Sequence, residues 1–263
     1  MDLELSGRVA VVTGASKGIG LAITRTLARE GVHVLATSRT RTPELEGVPH
    51  VPADLMDPDA PAAIVDAAVD AFGGLDILVN NAGGPPPGDH LPHDGFLHRT
   101  DAHWRDMFEF NLFSAVRACR AALPVMLERG AGAIVNVASG NGRQPSVFNL
   151  DYSAAKAAMI SLTKALAEEF GPQGVRVNGV LPGPVLTPWW TDAGGAGDIL
   201  AAKVGTDRDS LLTSVAPEIM GLTTGRLADA QEIADAVVFL ASPRSASTSG
   251  AALAVDSGFV KAA

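Results

Sequence analysis

Residues 9–20 read V-A-V-V-T-G-A-S-K-G-I-G, and this stretch decides the fold. Val9, Ala10, Val11 and Val12 form a short apolar run suited to a strand buried on both faces. From Ile19 onward, Ile19, Ile23 and Leu27 recur every four residues, a helical stripe that ends near Gly31, a C-cap residue. The turn between strand and helix holds Gly14, Gly18 and Gly20. Without side chains there, the backbone can approach a phosphate, and the helix N-terminus supplies free N–H donors and partial positive charge. A glycine cluster alone is weak evidence; placed between a strand and a helix it points to a dinucleotide site.

Outward from this unit the same alternation continues. Apolar runs at 32–36, 75–79, 133–137, 175–180 and 251–255 are separated by helical patterns at 18–30, 59–72, 101–129, 152–170 and 229–241. The expected fold class is α/β: a Rossmann-type doubly wound, mainly parallel seven-stranded sheet flanked by helices on both faces. The chain, residues 1–263, reads as a single domain with one internal expansion at 188–226, a length typical of lids. Residues 39–50 are too short and Pro-containing for the usual helix between the second and third strands.

Composition bounds the partners. Of the 263 residues, 47% are hydrophobic, enough for a large core, and Lys plus Arg (20) trail Asp plus Glu (29), a formal charge of −9. With no basic run, a phosphate backbone would be repelled, which argues against nucleic acid. Cys119 is the single cysteine, which excludes an intrachain disulfide and a cysteine-rich metal site. The N-terminus lacks the basic start of a signal peptide, and no apolar stretch is read as long enough to span a bilayer. The expectation is a cytoplasmic protein with no membrane partner.

The chemistry concentrates in Y-S-A-A-K, residues 152–156, where the four-residue spacing puts Tyr152 and Lys156 on one helical face. The opposite stripe is read as Ala155, Met159, Leu162, Leu166 and Phe170, so the pair is expected to point away from the core. Ser139 closes the preceding apolar run, where ligands bind in open parallel sheets. A free phenol titrates near 10, too high for efficient acid–base work at neutral pH. The Lys156 ammonium is expected to lower it. The segment S-A-A-K also fits an acylation motif, but its companion stands in the wrong order and no K-T-G follows; no G-x-S-x-G occurs either. His90, His93, His98 and His103, interleaved with Asp89, Asp94 and Asp101, are read as a solvated loop, with no metal expected.

Taken together, Gly14, Gly18 and Gly20, N-N-A-G at 80–83, and Asn111, Ser139, Tyr152 and Lys156 resemble the short-chain dehydrogenase/reductase family in its compact, 3-oxoacyl-thioester reductase-like branch. The resemblance implies an oxidoreductase that interconverts a ketone and a secondary alcohol through a Tyr/Lys/Ser/Asn tetrad, with transfer of the pro-S hydride. It carries over a cofactor framework of Gly14, Ser16, Lys17, Gly18, Ile19 and Gly20 in the loop and Ser38 and Arg39 after the second strand. Asp54 and Leu55 would meet the adenine, and Asn81, Ala82 and Gly83 would line the channel with Tyr152 and Lys156. Pro182, Gly183, Val185 and Thr187 would hold the nicotinamide.

Where dinucleotide folds place an acid on the ribose, residues 37–41 read T-S-R-T-R. Arg39 with Lys17 suits a 2′-phosphate, so NADP(H) is expected over NAD(H). The family also implies a homotetramer, built by pairing of the helices at 101–129 and 152–170 and of the last strand. Trp189 and Trp190, with Phe96 and Phe148, either line an apolar pocket or close the 188–226 segment against the core. A free hydrophobic ketone is slightly preferred over an acyl-carrier-protein thioester. A dinucleotide-binding sensor without turnover is the alternative of another class.

Overall fold

The computed structural model of the chain describes residues 2–89, 93 and 95–261. His90 and Asp94 therefore lie outside the described residues. The opening unit forms as expected: β1 (Val9–Thr13), then α1 (Gly18–Arg29). It is followed by β2 (His33–Ser38), β3 (His50–Pro52), α2 (Ala60–Phe72) and β4 (Ile77–Asn80). A single 3-10 turn, Pro43–Leu45, stands where a helix would normally join the second and third strands. Next come α3 (Asp101–Phe108), α4 (Ser114–Glu128), β5 (Gly132–Val137), α5 (Leu150–Phe170) and β6 (Val175–Pro182).

The segment at 188–226 is bracketed by β7 (Val185–Leu186) and β8 (Ala228–Asp229), which pair with each other. Inside it are short helices: α6 (Pro188–Thr191), α7 (Ala196–Val204), α8 (Arg208–Ser210) and α9 (Ala216–Ile219). The helix α10 (Ala230–Ala241) and strand β9 (Ala252–Val255) complete the fold.

The seven long-sheet strands run in the order β3-β2-β1-β4-β5-β6-β9, and every neighbouring pair is parallel. One face is covered by α1 and α10 through Ile23, Leu27, Ile233 and Val237. The other is covered by α2 and α4 through Ile64, Ala68, Ala122 and Met126. The winding reverses between β1 and β4, and at such a switch point the strand C-termini leave a crevice for ligand.

Three expectations change. The 101–129 helix is interrupted by a π-helical turn, Glu109–Phe113, and single π-turns of this kind favour functional positions. The run Asp101–Glu128 is, by length and composition, sufficient to cross a membrane, contrary to the sequence reading. Here its Ala118, Cys119, Ala122, Leu123 and Met126 pack into the core.

The buried face of α5 is only in part the one the apolar stripe indicates. Asp151, Ala155, Lys156, Met159, Thr163 and Ala167 are buried, whereas Leu162, Leu166 and Phe170 are only half-buried. Polar side chains belong to that face because they are hydrogen-bonded. Asn80 Nδ2 donates to Asn136 Oδ1 (2.8 Å), Asn136 Nδ2 to Thr163 Oγ1 (2.9 Å), and Thr163 to the Met159 carbonyl (2.8 Å). This chain ties β4, β5 and α5 together and fixes the height of α5 against the sheet, and with it the position of Tyr152.

Candidate active site

Above the switch point lies one large cavity of about 1290 Å³. That exceeds the roughly 300–1,000 Å³ of ordinary small-molecule pockets and leaves room for a dinucleotide with a second molecule. Every residue expected to hold cofactor lines it, from Gly14 through Ser38, Asp54, Asn81 and Pro182 to Thr187. So do Ser139, Tyr152 and Lys156.

The glycine loop is locked to the end of β4. Thr13 Oγ1 accepts from the backbone N–H groups of Asn81 and Ala82 (3.0 Å each), and Asn81 Nδ2 donates to the Thr13 carbonyl (2.9 Å). A Cβ on residue 20 would lie 2.2 Å from the Gly14 carbonyl oxygen, so the close approach admits only glycine. The α1 N-cap, Lys17, is extended and makes no side-chain capping bond, and the first turn carries no acid. Donors at that helix end are thus left for an anion, which fits a pyrophosphate.

At the end of β2, Ser38 Oγ donates to the Thr40 carbonyl (2.9 Å) and shares a hydrogen bond with His50 Nε2 (2.8 Å). Arg39 and Lys17 line the cavity, and among the described residues their side chains make no hydrogen bond or ion pair. Between Thr37 and Thr42 no carboxylate lines the wall. A cationic corner whose 37–42 segment carries no carboxylate fits a phosphate on the ribose better than a bare hydroxyl.

Tyr152 is half-buried, in the first turn of α5. Burial pushes its phenol up, and a hydrogen bond with the Ser139 hydroxyl works against that rise. Lys156 is 1% exposed. Its Nζ donates to the Val137 carbonyl (3.0 Å) and stands 5.6 Å from the Tyr152 ring centre. Burial lowers the ammonium to about 7. The expectation that Lys156 depresses Tyr152 is therefore not met: burial moves both groups toward their neutral forms.

Asn111 does not line the cavity. It is 0% exposed in the π-helical turn, and its side chain is spent on Gly84: Oδ1 accepts from the N–H (2.9 Å) and Nδ2 donates to the carbonyl (2.8 Å). A Cβ on Gly83 would fall 2.8 Å from Lys156 Nζ and 2.9 Å from Asn111 Oδ1, so the two side chains meet across that glycine. The expected four are thereby adjacent, with Asn111 behind the wall.

The tryptophans take both of the roles left open. Trp190 is buried with Ala201, Leu211, Leu222 and Leu227 in a small core of the 188–226 segment. Trp189, with its ring centre 4.8 Å from that of Trp190, is more exposed, and both line the cavity beside Phe148. Phe96 does not line it; it is exposed and packs edge-on against Trp104.

The histidine loop is only partly as read. His93 is buried, not solvated, 3.3 Å from Asp151 and 3.6 Å from Asp89. Among the described residues no group of His, Cys, Asp or Glu has the arrangement of a metal site. The sequence reading missed Arg99, which lies between the same two carboxylates. Its Nε donates to Asp151 Oδ2 (2.9 Å), Nη1 to Asp89 Oδ1 (3.1 Å), and Nη2 to Asp89 Oδ2 (2.5 Å). The only sequence signal was the acid at 151, directly before the tyrosine.

Comparison with known proteins shows the family. Residues 8–195 match the family model for short chain dehydrogenases. The chain is 36% identical over 264 residues to a 3-oxoacyl-acyl-carrier-protein reductase of Vibrio cholerae, covering 97% of this chain and 98% of that one. It is 37% identical over 269 residues to a cis-4-hydroxycyclohexanecarboxylate dehydrogenase of Sinomonas cyclohexanicum, covering 98% and 99%. Its structure superposes on L-sorbose reductase from Gluconobacter frateurii, complexed with NADPH and L-sorbose, with a TM-score of 0.89, 36% identity and 100% of both chains covered.

Proposed function

We propose, for a chain that belongs to the short-chain dehydrogenase family, that it is an NADP(H)-dependent oxidoreductase interconverting a ketone and a secondary alcohol. The observation that carries this reading is that one cavity joins the phosphate-binding loop and Arg39 at one end to Ser139, Tyr152 and Lys156 at the other. When bound, the nicotinamide supplies or accepts the hydride. Ser139 holds the carbonyl oxygen, and the Tyr152 hydroxyl delivers its proton to the oxygen that gains negative charge. Lys156, whose ammonium is poised near 7, binds the ribose hydroxyls and stabilises the phenolate once the proton has left. Asn111 acts from behind the wall by fixing the 83–84 backbone beside Lys156.

The substrate end is walled by Pro86, Phe148, Trp189, Trp190, Met220 and Phe259, which supports a carbonyl compound with an apolar body. Similarity to the Vibrio cholerae reductase favours a 3-oxoacyl thioester as the second reading. The same proposal holds that residues 1–263 act as one domain with 188–226 as its lid, in a cytoplasmic homotetramer. Light scattering on the purified protein checks the assembly.

Loss of NADPH and NADH absorbance over a panel of free ketones and 3-oxoacyl thioesters tests the function, with Tyr152→Phe alongside. Turnover with NADPH that the variant lacks is the expected result. NADPH binding without turnover on any of the panel would instead favour a sensor.

A further inference from the structure

We propose that Arg99 is a positioning residue for Tyr152, a clip that fastens the substrate-side wall of the cavity to the first turn of the catalytic helix. The inference rests on the reading of Tyr152 as the proton donor. Three segments meet at this clip. Asp89 belongs to the loop that lines the cavity after Gly83. Asp151 is the residue before Tyr152; it is 0% exposed, and its Oδ1 accepts the Tyr152 backbone N–H (2.9 Å). His93, from the same loop as Asp89, donates its backbone N–H to the carbonyl of Phe148 (2.8 Å), another cavity wall residue. The Arg99 side chain is 7% exposed and bridges the two carboxylates through three nitrogens, with Nη2 also 2.8 Å from Asp151 Oδ2.

A purely structural role is a poor account of this arrangement. Burying ion pairs gains little net stability, because desolvation offsets the attraction. The chain also contains an arginine with a plainly structural setting, which makes the contrast. Arg176 donates to the main-chain carbonyls of Leu240, Ala241, Ser242 and Thr248 and, among the described residues, touches no carboxylate. Arg99, by comparison, is satisfied by acids, one at the cavity wall and one adjoining Tyr152.

Two consequences follow from the geometry. The planar fork fixes the distance between Asp89 and Asp151, and so the distance between the substrate wall and the Tyr152 turn. It also compensates the charge of Asp151, a carboxylate buried on the residue before Tyr152. Lysine, with one nitrogen, cannot hold both carboxylates in that register.

The experiment compares Arg99→Ala and Arg99→Lys with wild type in NADPH-dependent carbonyl reduction. NADPH dissociation constants (by fluorescence) and melting temperatures are measured in parallel. The expected result is a fall in kcat of about 10–100-fold, the scale of a misplaced reacting group. The NADPH dissociation constant should move less than about threefold, because Arg99 is not among the residues lining the cavity. Added guanidinium should restore a large part of the kcat of Arg99→Ala and do nothing for wild type. If Arg99→Ala does not fold, Arg99→Lys decides, with a kcat lowered about tenfold at unchanged NADPH affinity supporting the clip.

An unchanged kcat in either folded variant, or losses of kcat, affinity and melting temperature in parallel without guanidinium rescue, overturns it. The underlying reading fails separately, if Tyr152→Phe keeps wild-type turnover.

Discussion

Lys156 is the largest fully buried side chain among the described residues, and replacing it with methionine should make the protein without bound cofactor more stable while ending turnover. The ammonium is displaced by burial from 10.5 to about 7, which corresponds to roughly 5 kcal/mol against the charged form. Methionine fills a similar volume and leaves the Val137 carbonyl without its 3.0 Å donor, a loss of about 1–3 kcal/mol. The net gain at pH 6 is then about 2–4 kcal/mol, or about 4–10 °C in melting temperature for a chain of this size.

The sign follows from proton linkage. Below pH 7 both folded and unfolded wild type hold the proton, and the folded state carries the full burial penalty. From pH 7 toward 10.5 the folded state has released the proton while the unfolded state still binds it, so wild-type stability rises. The advantage of Lys156→Met should therefore be full at pH 6 and shrink markedly by pH 9.5. Thermal melts of both proteins at the two pH values provide the assay. A variant less stable than wild type at pH 6, or an advantage that does not shrink with pH, refutes the reasoning.

Other expectations test the remaining parts of the site. Arg39→Ala should raise the KM for NADPH about 10–100-fold and leave that for NADH nearly unchanged, since only the charge-assisted contact to a 2′-phosphate is lost; parallel kinetics with the two cofactors decide. Gly83→Ala should lower kcat by at least about tenfold, because its Cβ would sit 2.8 Å from Lys156 Nζ; unaltered turnover would mean that the wall yields freely. Arg176→Met should lower the melting temperature by about 2–6 °C, because the Ala241 carbonyl at the end of α10 loses its donor while those of Leu240 and Ser242 keep Ser245, with KM for NADPH unaffected, as read by calorimetry and kinetics.

What was legible in the sequence was local. The strand–turn–helix of residues 9–20 and the Tyr152/Lys156 spacing each lie within one or two elements, so their periodicities survive without the rest of the chain. An apolar stripe is a proxy for burial, and it indicates only part of the buried face of α5, which also carries Lys156 and Thr163, paired by hydrogen bonds. The π-helical turn at Asn111 left no trace because widening one turn changes which carbonyl an N–H meets, not which residues are apolar. Arg99 and Asp151 are 52 positions apart, and nothing in either neighbourhood announces the other. A Pro/Gly-rich loop is usually exposed, which is why the sequence suggests a solvated His93; here His93 packs onto the start of α5.

The pairing of β7 with β8 brings together Val185–Leu186 and Ala228–Asp229, the two points where the chain leaves and rejoins the main body. The residues between them form a closed contour with their own small core around Trp190 and Leu227. Insertions or deletions inside a contour whose ends are already joined change the closure entropy only logarithmically, by about 0.6 kcal/mol per doubling of length. Such a segment can be exchanged as a cassette. Changes in which substrate is accepted can thus be made there without disturbing the glycine loop or the Tyr152/Lys156 helix.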